Sequence, residues 1–470
     1  MPQTSSIADV RSAGPCLVRR VAGTCDLLSL HALAPDRYPF LLESAASGTA
    51  QARYDMLFAF PGETLELSPS GAVSGPGARP GAGFLDAFNG WWEELRLPRM
   101  SGKGLPPFRG GWFVFIGYEL ASEIEHTLRL PAAPGSLPVA QACRIPAAVI
   151  CDHEEDQILL VAEPGAERLL DLMAEDLRRA IAAGVADHPH VACLDGMLLE
   201  EQGAIYLEGV RRVIDYVLAG DVFQVNLSRL WTGKLKPGLS HAAIYDRLRK
   251  RNPSPFAGLA TLGGRAIICS SPERLVEVEG RVVQTRPIAG TRPRGTSGLT
   301  DVALSEELIA HPKERAEHIM LVDLERNDLS RVCVPGSVKV NESMVIESYA
   351  QVHHIVSNIR GQLYDDVPPG DVIRAVFPGG TITGCPKVRC MEIIAELERV
   401  GRGPYTGSMG YVNRDGGMDL NILIRTLVRE GDSISLRAGA GIVADSIPER
   451  ELEETRAKAG AIVLALVTED

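Results

Sequence analysis

The chain has 470 residues, 45% hydrophobic and 23% charged, with a formal net charge of −12. That composition suits a globular protein large enough for two cores or one large two-lobed one. The acidic balance, without basic runs interleaved with aromatics, excludes a nucleic-acid surface. Apolar runs such as Ala461 to Val467 are far too short to span a bilayer, so no membrane partner and a cytoplasmic location are expected.

In chain order, Met1 to Ser6 is polar, and Gly75 to Gly81 and Pro131 to Gly135 read as loops because Gly and Pro interrupt ladders and turn the chain. A helical pattern from Ala166 to Ala182 runs into Ala183 to His190, the best boundary in the chain. It separates an N-terminal region, 1–190, from a region at 200–468 that carries almost all the motifs. Ala266 to Cys269, Leu275 to Val278 and Arg281 to Thr285 read as antiparallel strands, and Leu420 to Leu427 as an apolar strand containing Arg425. Tyr206 to Leu218, Glu314 to Leu324 and Arg389 to Glu398 read as helices. Strands and helices segregate rather than alternate, which predicts an α+β fold with large antiparallel sheets. Nine cysteines without a CxxC pair fit reduced, mostly buried thiols.

The last forty residues hold the densest constellation. Pro448 opens a helix on which Glu451, Glu454 and Lys458 share a face, beside the glycine run Gly439-Ala440-Gly441. Such a face is either a solvated salt-bridge surface or a carboxylate pair holding a hard cation such as Mg²⁺, next to backbone N–H groups open to an anion. Glu314 and Glu317 repeat the i,i+3 pair at the start of another helix. Phe377 to Lys387 lacks the chemistry of a phosphate loop, since Pro386 removes a donor and no Ser or Thr follows Lys387; an anion loop or a structural turn both fit. Glu273, after Ser271-Pro272, is either a turn-exposed carboxylate or, if desolvated, a protonated general acid. His353 and His354 point to opposite faces of a strand, so at most one serves a site. Arg425 requires a partner, either a bound carboxylate or an internal ion pair. No nucleophile elbow, HExxH or GxGxxG followed by an acid is present.

Taken together, these motifs resemble the chorismate-utilising enzymes: anthranilate synthase component I, aminodeoxychorismate synthase component I, isochorismate synthase and salicylate synthase. The resemblance is strongest over about residues 204 to 466. It implies a large two-lobed sandwich of antiparallel sheets with helices outside. It also implies Mg²⁺ on Glu317, Glu451 and Glu454, with Glu314 nearby, bridging to the ring carboxylate of chorismate. By the same resemblance Lys458, Gly439 and Gly441 contact carboxylate, Tyr405 and Arg425 grip the enolpyruvyl carboxylate, and Thr381 and His354 line the pocket. Glu273 matches the acid that protonates the departing 4-hydroxyl. Gln224 stands where the isochorismate and salicylate enzymes place a water-activating lysine, and an amide cannot be that base, so ammonia is the implied nucleophile.

Ala289 in Pro287-Ile288-Ala289-Gly290-Thr291 matches anthranilate synthase, whereas many aminodeoxychorismate synthases carry a lysine there. Gln224-Val225-Asn226, Ser271-Pro272-Glu273-Arg274, Thr285-Arg286-Pro287, Phe377-Pro378-Gly379-Gly380 and Met418-Asp419-Leu420-Asn421 resemble the aminodeoxychorismate enzyme more closely, and the several markers outweigh the one. The expected reaction is therefore amination of chorismate on the way to p-aminobenzoate and folate, with anthranilate synthesis or a catalytically silent metal-binding relative as alternatives. No cysteine lies in a Gly-x-Cys-x-Gly elbow, so a separate glutamine amidotransferase subunit or free ammonia is expected. A separate aminodeoxychorismate lyase would act on the product. Glu43 and Ser44 resemble a segment that forms a tryptophan pocket between sheets in relatives, and structural packing fits them equally.

Overall fold

The computed structural model describes residues 10–45, 53–102, 104–184, 192–294, 298–348 and 352–467. Residues 1–6 and most of the expected boundary, 185–190, lie outside the described residues. Among the described residues, antiparallel sheets of 13 and 11 strands form the frame of an α+β fold. The larger runs from Cys16–Ala22 through Gln157–Ala162, Ala147–Asp152, Tyr54–Ala59 and Phe40–Glu43 into Phe256–Leu262, Arg265–Ser271, Thr426–Glu430, Ser433–Ile442 and Gln224–Lys234. The smaller joins Ile288–Pro293, Val352–Gln362, Val282–Thr285, Arg274–Glu279, Met418–Asn421 and Ser408–Asn413 to Gly111–Ile116 and Ala140–Ile145. Both sheets thus take strands from either side of the expected boundary, pairing Phe40–Glu43 with Phe256–Leu262 and Gly111–Ile116 with Ser408–Asn413.

The strands that face a layer on each side are apolar throughout, because alternation then sorts residues between two cores rather than between core and water. In Gly111–Ile116, Phe113 and Phe115 enter the core between the sheets, while Trp112, Val114 and Ile116 pack with Phe84, Phe88 and Val372 from helices outside. Phe40 of the larger sheet stacks on Phe113 of the smaller with ring centroids 4.0 Å apart. Outside the larger sheet, helices Glu167–Ala183, His241–Arg251 and Pro448–Val467 contribute Met173, Tyr245, Leu248, Ile462 and Leu466 to a third core.

Two elements differ from expectation. The helix expected at Glu314 to Leu324 runs from Pro312 to Ser330, and the added turns carry buried Glu325 and Asp328. The expected strand Leu420 to Leu427 is two: Met418–Asn421 in the smaller sheet and Thr426–Glu430 in the larger, with the chain crossing between them. Arg425 sits at that crossing with φ +50. Leu420, Ile422, Leu423 and Leu427 are buried on both sides of it, so an uninterrupted apolar run conceals the break. All nine cysteines are free thiols, and among the described residues no helix is long and apolar enough to cross a membrane.

Candidate active site

The chain crosses between the sheets a second time at Ser271–Glu273, and the two crossings are laced together. Ile422 N–H donates to Glu273 O (3.0 Å), Ser270 N–H to Arg425 O (3.2 Å), and the Ser271 hydroxyl to Ile422 O (2.5 Å). Glu273 and Arg425 are therefore placed in the interior by the topology. Glu273 is 5% exposed, which removes the turn-exposed reading. Burial pushes its carboxyl up to about 8, against the downward pull of Thr381, the Ile288 N–H (3.4 Å from Oε1) and Lys458, with Glu325 adding to the rise. A carboxylic acid that keeps its proton at neutral pH can donate it to a leaving group.

Pairing of Gln224–Lys234 with Ser433–Ile442 sets Asn226 opposite Gly441 and Ser228 opposite Gly439. A Cβ on Gly441 would lie 2.3 Å from Gln224 Nε2, and one on Gly439 would lie 2.8 Å from Tyr405 Oη and 2.9 Å from Asn226 Oδ1. The missing side chains are what let three polar groups close over the strand. Gln224 Oε1 and Asn226 Oδ1 are buried without a protein hydrogen-bond partner. Each such atom costs about 1–3 kcal/mol unless a ligand satisfies it.

Lys458, on the C-terminal helix, donates to Gly439 O (3.0 Å) and pairs with Glu454 (2.8 Å) at the rim. Glu451, one turn earlier, is buried. Opposite, Ala289 is buried in Ile288–Pro293, where the register slips at Gly290 (φ +67) against Val352–Gln362. His354 Nδ1 lies 3.3 Å from Gly290 O, and burial together with Arg425 pushes its pKa down to about 4, so the ring is neutral. His353 turns the other way, to Asp301 (2.9 Å) and Ser348 (2.8 Å). Among the described residues Arg425 donates one long bond, 3.4 Å, to Asn252 Oδ1, and burial lowers its pKa. No internal ion pair to it is present among the described residues.

The four expected metal ligands are not gathered. Glu314 accepts from Arg292 (3.3 Å), Glu454 pairs with Lys458, and Glu317 faces a groove of about 820 Å³ shared with Met320, Lys387 and Val443. Among the described residues no three His, Cys, Asp or Glu side chains converge on a point a metal could take. The donor type, carboxylate oxygen, still suits Mg²⁺, and two of the carboxylates would exchange basic partners for it.

Motif reading missed Asn226, Glu325 and Arg402. Glu325 is buried, and burial and Asp328 push it up to about 7; Asp328 pairs with Lys387 at 2.6 Å. The available signal was a carboxylate pair, Glu325 and Asp328, on a helix that does not stop at Leu324. A second cavity, about 1260 Å³, lies between the sheets and is lined by Glu43, Ser44, Arg53, Arg274, Tyr411 and Asp419. Within it Glu43 is held by the Tyr245 hydroxyl (2.5 Å) and Arg249 (2.8 Å), while Ser44 Oγ is buried without a partner.

Fold and site together define a two-sheet enzyme with a buried carboxyl of raised pKa where the chain crosses between the sheets, and the chain belongs to the chorismate binding enzyme family, whose description residues 68–464 match. It is a chorismate-utilising enzyme. The "Anthranilate synthase component I-like protein" of Synechocystis sp. is 44% identical over 360 residues, 77% of this chain and 73% of that one. "Aminodeoxychorismate synthase component 1" of Bacillus subtilis (strain 168) is 41% identical over 392 residues, 81% and 82%. The crystal structure of anthranilate synthase component I from Streptococcus pneumoniae TIGR4 superposes with a TM-score of 0.78 at 30% identity, covering 88% of this chain and 93% of that one.

Proposed function

We propose that the protein is the chorismate-aminating component of aminodeoxychorismate synthesis, replacing the 4-hydroxyl of chorismate with ammonia. The observation that carries the chemistry is the buried Glu273, poised at about 8 beside Thr381 and the Ile288 N–H. Glu273 gives its proton to the departing hydroxyl, which leaves as water; ammonia supplies the nitrogen, and the proton it sheds restores the acid. Arg425 and Tyr405 orient one carboxylate of the substrate, and Lys458 with Gly439 and Gly441 the other. Gln224 offers an amide where a water-activating base would stand, which favours amination over hydration. Glu317, Glu451 and Glu454, with Glu314 nearby, would hold Mg²⁺, which would neutralise the ring carboxylate. Ammonia would come from a separate glutamine amidotransferase, and a separate lyase would complete p-aminobenzoate for folate synthesis.

The relative from Bacillus subtilis and the Gln224-Val225-Asn226 and Met418-Asp419-Leu420-Asn421 markers support this product. Ala289, buried at the register slip where many such enzymes carry a lysine, favours the second reading, anthranilate synthesis. Incubating the purified protein with chorismate, Mg²⁺ and an ammonium salt separates them. p-Aminobenzoate that forms only after adding a lyase supports the proposal. Anthranilate and pyruvate from this protein alone would sink it, and unconsumed chorismate would point to a silent relative.

A further inference from the structure

Arg402 lies in none of the proposed substrate-contacting positions, yet its guanidinium reaches several segments of the site's framework. It is 2% exposed. Nη2 donates to the backbone oxygen of Asn226 (2.7 Å) and to Glu398 Oε1 (2.7 Å), and Nε donates to Glu398 Oε2 (3.1 Å). Nη1 donates to Ile382 O (3.2 Å) and Thr406 Oγ1 (3.4 Å). The cation also lies 5.0 Å from the ring centre of Tyr118 and 5.5 Å from that of Tyr405. Glu398, itself buried, accepts as well from Arg437 Nη2 (2.9 Å) and from Ser228 N and Oγ (2.8 Å each). Two guanidiniums on one carboxylate outweigh the burial that would raise its pKa, and Glu398 stays ionised.

These contacts bind together three separate segments, each within two residues of a site group. Asn226 neighbours Gln224 on the strand floor, Ile382 follows Thr381, and Thr406 follows Tyr405. We propose that Arg402 is a positioning residue of the chorismate site: its planar fork, anchored on Glu398, fixes the mutual spacing of the strand floor, the Thr381 turn and Tyr405. The proposal rests on the reading that this site takes chorismate. Lysine keeps the charge but carries no fork, so it can hold one of these carbonyls and not all. Displacements on the order of 1 Å among positioning groups cost about 100-fold in rate.

The test uses the full chain as R402K and R402Q, with thermal unfolding to establish the folded fraction. kcat/KM for chorismate falls about 100-fold in both, carried mainly by a raised KM, since what is lost is alignment of binding groups. A purely structural role would reduce the folded fraction, lowering apparent kcat and leaving KM unchanged. Hydrogen exchange without substrate gives a reading independent of the assigned reaction: amides of residues 224–228, 381–384 and 405–407 exchange faster together while the Gly111–Ile116 strand is unchanged. Wild-type protein that ignores chorismate would defeat the functional reading and leave the exchange result to decide the positioning role. Unchanged KM, uniformly faster exchange, or failure of both variants to fold overturns the proposal.

Discussion

Replacing Glu273 by Gln should damage catalysis while improving stability in alkali. The structure raises this carboxyl from 4.5 to about 8 by burial, corresponding to roughly 5 kcal/mol in favour of the protonated form relative to the unfolded chain. The folded state then binds the proton more tightly than the unfolded state, so stability is fully present below about 4.5 and declines as pH rises towards about 8. Gln is a neutral mimic of the acid and carries no such dependence. Urea unfolding of the two proteins across pH 5 to 9 should therefore show the difference in unfolding free energy shifting towards Glu273→Gln by about 4 kcal/mol, most of it gained before pH 8.5. Turnover moves the other way, falling about 100- to 10,000-fold with loss of the general acid. Wild-type kcat/KM, measured with free ammonia held constant by adjusting the ammonium salt, should be level below about pH 8 and decline above it. Turnover of the Gln variant close to wild type, or a wild-type profile level through pH 9, would refute the assignment of Glu273 as the acid.

Two further substitutions test the strand floor and the helix at its rim. In Gly441→Ala the new methyl meets Gln224 Nε2 at 2.3 Å, and the amide swings aside; KM for chorismate rises while thermal unfolding reports a stability loss of only about 1 kcal/mol. Glu454→Ala abolishes Mg²⁺-dependent turnover but leaves the fold intact, because an exposed pair with Lys458 is worth about 1 kcal/mol or less. An unchanged Mg²⁺ titration would remove Glu454 from the metal site.

Local spacing was legible wherever one element carried a whole motif. Glu451, Glu454 and Lys458 share a helix face by sequence interval alone, and the glycines at 439 and 441 mark the place where side chains close over a strand. Glu273 and Arg425 were visible as residues whose surroundings were not. Their burial comes from two crossings between sheets, hydrogen-bonded to each other across about 150 residues of chain. Arg402 and Glu398 are an i,i+4 pair at a helix end, a pattern that on most helices faces water; here Ser228, Asn226 and Arg437 from two strands enclose it.

By itself the sequence determined the α+β class, the helix face with its two carboxylates and lysine, and a resemblance specific enough to identify the substrate family, because these depend on intervals within single segments. Tertiary structure decided which carboxyl keeps its proton, which arginine has no carboxylate partner among the described residues, and that Glu314 and Glu454 are drawn to basic neighbours of their own. Those outcomes depend on desolvation and on charges contributed by distant parts of the chain, and no local pattern encodes either.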